Sequence, residues 1–347
     1  MYTTHLTLII PAVVALVATF VSALFLKDYM YESGVISPDH NKKGKPILPT
    51  SGGLAMVFGF TVGMLTYVFG ASFRLYYAAA SLDLLFAAVL SVLLIAMVGF
   101  LDDVNVSKKM VKSTDMMDLR RGFRHQWIKP LLTFIGAVPL MAINAGVSTI
   151  ALPFLGTVNL GILFPLIVLP LAIVFVANAF NLMGGFDGIN TGGATIATLA
   201  LFLYSITWGT YNGAVLSAIL LTSVVALLWF NKFPASLLPG DSFTFAFGGA
   251  YVATVVIGNM EAFGAIVFLP WIIEFVLHAR KKFKVSDLGV LQKDGTFKSK
   301  YGGKIYGWTH IFMNMKRSTE WEVSLYFWIV CAAFALLAFG MKMYGFL

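Results

Sequence analysis

The sequence predicts an all-α polytopic membrane protein of about ten transmembrane helices with both termini outside. Three observations predict it: apolar runs of spanning length recur along all 347 residues, only 12% of the chain is charged, and the basic residues fall on alternate connections. A soluble domain carries roughly twice that charged fraction, and an apolar run of about 17–25 residues crosses a bilayer as a helix.

Taken in order, the first span is 6–26, which has neither a basic leader nor a small-residue cleavage site and so reads as a span and not as a signal peptide. Spans follow over 52–70, 83–101, 130–145, 158–179, 191–208, 213–230, 244–260, 262–278 and 325–345. The fourth is short and carries Pro130 and Pro139. No internal repeat, Ser/Gly linker or low-complexity tail divides the chain, which reads as a single integral domain over 1–347. Between the last two spans, "VSDLGVLQKDGTFKSKYGGKIY" alternates around a "KDG" turn and predicts a small β-hairpin. Cys331 stands alone in the last span and reads as an apolar packing residue.

Orientation follows from the charges. Of the 24 Lys and Arg residues, 22 lie on the connections after odd-numbered spans, and only Arg74 and Lys342 lie on the other side. Basic residues stay on the cytosolic side, so these connections are cytosolic. The net charge of +8 then needs no nucleic-acid partner.

The acids collect on the same side. Asp102 and Asp103 close span three in "GFLDD", Asp187 lies in "NAFNLMGGFDGIN" (178–190), and Asp241 lies in "PGDSF" ahead of span eight. Ionisable residues at a bilayer are costly and point to function. One aspartate at a helix end is as often a solvated terminus, but four on one side, beside glycines and apolar residues, point to a site. Carboxylates and amide oxygens are hard ligands suited to Mg²⁺ or Mn²⁺, nearby lysines and arginines suit phosphates, and glycines let backbone N–H groups approach an anion. The five histidines form no zinc motif, and neither a Walker A loop nor a GxSxG elbow is present. A metal-assisted reaction on a phosphate at the cytosolic face remains, with a lipid as a natural substrate.

"FLDD" followed by a basic loop, "NAFNLMGGFDGIN" and "FPASLLPGDSF", preceded by "KPILPTSGG", resemble the polyprenyl-phosphate N-acetylhexosamine-1-phosphate transferases. That group includes the dolichyl-phosphate GlcNAc-1-phosphate transferase and the bacterial phospho-MurNAc-pentapeptide translocase. The resemblance implies ten helices with both termini outside, and possible homodimers. It also implies a reaction in which a UDP-sugar and a polyprenyl or dolichyl phosphate give a polyprenyl-diphosphate-sugar and UMP. GlcNAc is the best single choice of sugar, the reaction would open the assembly of a glycan, and the expected location is the cell membrane of an archaeal-type cell rather than the endoplasmic reticulum.

The resemblance also implies roles. Asn181 and Asp241 would hold Mg²⁺, or Mn²⁺. Asp102 and Asp103 would be catalytic, one of them handling the proton of the lipid phosphate. Lys129 in "WIKPLL" would contact phosphate; its alternative is an interfacial lysine reaching for the headgroups. Asp187 would meet the uracil, with Gly184 and Gly185 offering bare backbone to base and ribose, or simply forming a turn. Asn178 is read as a helix cap or an interhelical hydrogen bond. In "HARKKFKV", Arg280 and Lys282 would hold the diphosphate and sugar, and the 279–324 loop would cover the site and decide which hexosamine enters. His278 with Glu274 reads as a structural i,i+4 pair.

Three features depart from the family pattern. Leu238 stands where an aromatic would stack on uracil, leaving Phe233 as a substitute. Val106 replaces a Lys or Asn, with Asn105 one step early. The loop from Asp103 to Lys129 is long. Two other function classes compete. A secondary transporter shares intramembrane acids but favours midplane sites and repeats, and a non-catalytic scaffold has no need of a nucleotide-sugar site.

Overall fold

The computed structural model describes residues 2–75, 80–104, 106–112, 117–121, 127–147, 149–152 and 156–347. Helix α1 (Tyr2–Glu32) is followed by a hairpin of β1 (Ile36–Pro38) and β2 (Ile47–Pro49), then by α2 (Gly53–Ser72) and α3 (Leu82–Val104). A second hairpin, β3 (Val106–Lys112) with β4 (Met117–Arg121), leads to α4 (Ile128–Thr133), a 3-10 turn, and α5 (Val138–Ala142). A third pairs β5 (Thr149–Leu152) with β6 (Gly156–Asn159). After a π turn come α6 (Leu169–Leu182), α7 (Ile189–Thr207), α8 (Tyr211–Asn231), α9 (Gly240–Ile257), α10 (Glu261–Val267) and α11 (Leu269–Ala279). The chain ends with the hairpin of β7 (Gly289–Leu291) and β8 (Phe297–Ser299), then α12 (Trp308–Met315) and α13 (Glu320–Met343).

Among the described residues, eight helices are long and apolar enough to cross a membrane, and α10 with α11 make a ninth span bent by 57°. The bend falls at Phe268, two residues before Pro270, whose ring and missing N–H cannot continue a helix ladder. The tenth expected span is the shorter apolar stretch Ile128–Ala142, broken into α4, 3-10 turn and α5 where Pro130 and Pro139 interrupt regular bonding. The chain is a multi-pass membrane protein of the expected all-α class, and the hairpin expected around "KDG" is β7–β8. The fifth span starts later than expected: 156–159 pairs as β6, and helix begins only at Phe164. Three further hairpins were not expected, because their strands, of three to seven residues, carry patterns too short to separate from a helix end.

Helix α9 occupies the middle. It packs between α3 and α6, with α2 and α8 alongside, and is the most buried of the spans. Its Phe243 and Phe247 join Phe180 of α6 and Trp271 of α11 in a buried aromatic cluster. The peripheral α1 and α13 instead turn large apolar side chains such as Leu16, Phe25 and Leu336 outward, as lipid contact requires. The first turn of α9 is therefore anchored from all sides.

Candidate active site

That first turn begins at Pro239-Gly240, and Pro239 has no side chain able to cap the exposed N–H groups of a helix start. Asp103 supplies the cap from α3. Its Oδ1 accepts the Asp241 N–H at 2.7 Å and its Oδ2 accepts the Ser242 N–H at 3.1 Å, while Ser51 Oγ donates to Oδ2 at 2.8 Å. A carboxylate at a helix N-terminus also meets the positive end of the helix dipole. The approach is close enough to need glycine. A Cβ on Gly99 would lie 2.3 Å from the Asp241 carbonyl oxygen, and one on Gly53 would lie 2.0 Å from the Phe243 nitrogen. Gly240 adopts φ +71 with Asp103 Oδ2 2.4 Å from where its Cβ would be, a conformation and a space open only to glycine.

The neighbouring Asp102 faces a different partner. Lys129 Nζ lies 2.5 Å from Asp102 Oδ2 and 2.7 Å from Asp241 Oδ2, bridging the two carboxylates. The Asn181 side chain is also within hydrogen-bonding reach of Asp241, and its Oδ1 accepts from Thr244 Oγ1 at 2.8 Å. Asp102, Asp103, Lys129 and Asp241 line a cavity of 380 Å³ together with Ser37, Thr50, Leu238 and Gly240. Asn178 stands apart, donating to Thr133 Oγ1 at 3.0 Å as an interhelical bond.

A second cavity, of 180 Å³, adjoins the first. Asp187, Gly184, Gly185, Asn190, Asn231, Asp39 and His40 line it, and Leu238 lines both cavities. Asp187 Oδ2 accepts Lys42 Nζ at 2.7 Å and the Ala235 N–H at 2.8 Å. Burial pushes its carboxyl above the usual carboxylate range, while Lys42 and the Ala235 N–H pull the other way. Gly184 has open space where a Cβ would sit, so packing does not explain its bare backbone. Asn190 Oδ1 and Asn41 Oδ1 are buried with no hydrogen-bond partner among the described residues, an arrangement that asks for a ligand donor. Phe233 lies beside this cavity, with Lys42 Nζ 4.8 Å over its ring, and Leu238 lines the cavity with its aliphatic side chain.

Two expected site residues are not brought here. Arg280 and Lys282 are exposed and line neither cavity; among the described residues Arg280 donates to the Ile305 carbonyl, at 3.4 Å. Just before them, His278 is buried between Glu274, at 3.1 Å, and Asp287, at 3.2 Å, and Glu274 also accepts the Trp308 N–H at 2.8 Å. The chain then turns at 281–284, with Lys282 and Phe283 at positive φ. Asn105 lies outside the described residues.

The donor set fits a hard divalent cation. Asp241 and Asn181 bring a carboxylate and a side-chain amide together, and the Lys129 ammonium already sits between Asp102 and Asp241, where positive charge is favoured. Two other groups of three ligating side chains converge, Glu274–His278–Asp287 and Asp39–Asp187–Glu320. In the first the imidazole already sits between the carboxylates, and in the second the Lys42 ammonium does. Sequence reasoning missed Lys42, Glu320, Ser51 and Gly99. Only the "SGG" of the second span hinted at any of them.

Asp103→Ala should lower thermal stability in detergent by about 1–3 kcal/mol, the scale of losing charge-assisted bonds to two backbone N–H groups. Activity should fall with it, because Asp241 loses its anchor. A melting temperature unchanged from the parent would refute the capping role.

The profile of glycosyl transferase family 4 matches residues 85–259. A protein of Saccharolobus solfataricus, provisionally named a UDP-N-acetylglucosamine–dolichyl-phosphate N-acetylglucosaminephosphotransferase, is 30% identical over 96% of this chain and 96% of its own. A protein of the same provisional name from Sulfolobus acidocaldarius is 30% identical over 95% of each chain. The phospho-N-acetylmuramoyl-pentapeptide-transferase of Halalkalibacterium halodurans is 27% identical over 98% of this chain and 97% of its own.

Proposed function

Since this chain belongs to glycosyl transferase family 4, we propose that it transfers a sugar-1-phosphate, GlcNAc-1-phosphate by the names its relatives carry, from a UDP-sugar to a polyprenyl or dolichyl phosphate. An oxygen of the lipid phosphate attacks the sugar-bearing phosphorus of the donor. The bond from that phosphorus to the bridging oxygen breaks, UMP leaves, and a polyprenyl-diphosphate-sugar remains in the membrane.

One observation carries the reading: the two polar cavities are neighbours that share Leu238, and the Leu238–Asp241 stretch borders both. A ligand with a nucleoside at one end and a diphosphate at the other fits that division. The nucleoside lies in the smaller cavity against Asp187, the bare backbone of Gly184 and Gly185, and the unpartnered Asn190 oxygen. The diphosphate lies in the larger one, where the Lys129 ammonium orients phosphate oxygens. Asp102 shares Lys129 with Asp241 and handles the remaining proton of the lipid phosphate; a phosphate monoester has its second pKa near about 6, so little base strength is needed. Asp103, committed to the α9 cap, positions Asp241. Asp241 and Asn181 would hold a divalent cation, Mg²⁺ or Mn²⁺, which supplies charge neutralisation of the diphosphate.

The basic connections support a site on the cytosolic side of a cell membrane, that of an archaeal-type cell in our reading. The whole chain serves as one transferase domain. Its 279–324 segment covers the nucleoside cavity: Leu288 lines that cavity and Phe297 packs edge-on to Phe186 at 5.4 Å.

The test is incubation of purified protein with Mg²⁺, polyprenyl phosphate and a panel of UDP-sugars. A lipid product heavier by one sugar-1-phosphate, with UMP released in equal amount, is the expected result. UDP-sugar uptake into liposomes with no lipid-linked product would instead make the chain a transporter.

A further inference from the structure

Lys42 has no part in the reaction as written, yet it occupies the most connected position beside the nucleoside cavity. Its ammonium lies 2.7 Å from Asp187 Oδ2, 2.6 Å from Glu320 Oε2 and 3.1 Å from Asp39 Oδ2, over the Phe233 ring. These partners come from four separate stretches: the β1–β2 link, the α6–α7 link, the segment leading to α9, and the start of α13. Glu320 reaches Asp187 a second way. Its Oε1 accepts the Asp187 N–H at 3.1 Å, and Ser324, one turn along α13, donates to the Asp187 carbonyl at 2.7 Å.

Asp187 is thus held at its N–H, its carbonyl and one carboxylate oxygen. Both bonds to the carboxylate, from Lys42 and from the Ala235 N–H, fall on Oδ2. Oδ1 accepts none among the described residues, although the side chain is buried and lines the cavity. Three buried carboxylates around one ammonium stay together only while that ammonium is present; without it they repel and separate or take up protons.

We propose that Lys42 and Glu320 are positioning residues for the nucleotide: they lock Asp187 so that its free oxygen Oδ1 is presented to the donor's nucleobase, and they set affinity for the UDP-sugar without touching the transferred phosphate. This rests on the reading that Asp187 meets the nucleobase. The lock joins the last span to the nucleoside cavity, so donor affinity depends on the seating of α13.

Steady-state kinetics against each substrate separately, with melting temperatures recorded, tests it. Lys42→Met and Glu320→Gln should each raise KM for UDP-GlcNAc by about tenfold or more. KM for polyprenyl phosphate should stay within about twofold, and kcat at saturating nucleotide within about threefold. Lys42→Arg, which keeps the cation, should recover most of the loss. In an Asp187→Asn background, Lys42→Met should add nothing further, whereas a general structural defect would penalise both backgrounds alike. The inference is overturned by an unchanged nucleotide KM in both single variants, by a joint fall of kcat and both affinities, or by the same loss in the Asp187→Asn background. Asp187→Asn by itself separates the two levels. If it raises nucleotide KM and Lys42→Met does not, the lock alone is wrong; if it leaves nucleotide KM unchanged, the placement of the nucleobase is wrong and the lock falls with it.

Discussion

Asp241→Ala is expected to abolish turnover while leaving expression and membrane insertion intact. The side chain projects from the first turn of α9, where Lys129 at 2.7 Å and Asn181 converge on it, and among the described residues it is the carboxylate that meets the Asn181 amide, Lys129 and the 380 Å³ cavity together. The backbone of that turn is held by Asp103 through the residue's own N–H, which alanine retains. The fold should therefore survive the substitution. What disappears is the charge that would gather a divalent cation and order the diphosphate. Losses of about 10³-fold in kcat accompany removal of a comparable preorganised electrostatic group, and UMP release from UDP-GlcNAc, followed in detergent, measures it. Activity above a tenth of the parent would remove Asp241 from the metal site. Asp241→Asn, which keeps an oxygen without the charge, should rescue little.

Lys129→Met is expected to be nearly as damaging, with kcat lowered about 10²-fold or more. The ammonium lies between two carboxylates that belong to different helices, α3 and α9. Removing it leaves like charges facing each other, and removing one partner of a buried ion pair is the costly case. The phosphates would also lose the cationic contact proposed for them. A melting temperature recorded beside the kinetics separates the two effects: lower stability without loss of kcat would confine Lys129 to a structural role. Lys129→Arg should recover only part of the activity, because a planar guanidinium does not replace a compact ammonium between two carboxylates.

Much of this was legible in the sequence. Hydrocarbon penalises each charged residue separately, so the spans could be read one at a time; among the described residues nine of the ten are helices of spanning length, counting the bent pair as one, and the fourth is the shorter, broken stretch Ile128–Ala142. The clustering of Asp102, Asp103, Asn181 and Asp241 was legible for the same reason: polar residues at the ends of apolar helices have nowhere else to go. Their division of labour was not. Asp102 and Asp103 are neighbours of the same type, and about 100° of helix rotation separates the one that meets Lys129 from the one that caps α9. The basic motif of the last connection lies elsewhere. Arg280 and Lys282 sit on a connection rich in lysine and arginine, and they line neither cavity.

The sequence by itself determined the class of the protein, the order of its apolar helices, the clustering of its polar residues, and the family to which it belongs. Each of these depends on local composition or on short contiguous motifs. Only the tertiary structure decided which polar groups meet. Lys42 and Glu320 are 278 positions apart, and neither belongs to a recognisable motif. They pair because the first connection and the start of the last helix return to the same end of the bundle. Such a pairing depends on helix rotation, on glycine-sized gaps such as that at Gly99, and on the path of the connecting loops, none of which leaves a periodic trace along the chain.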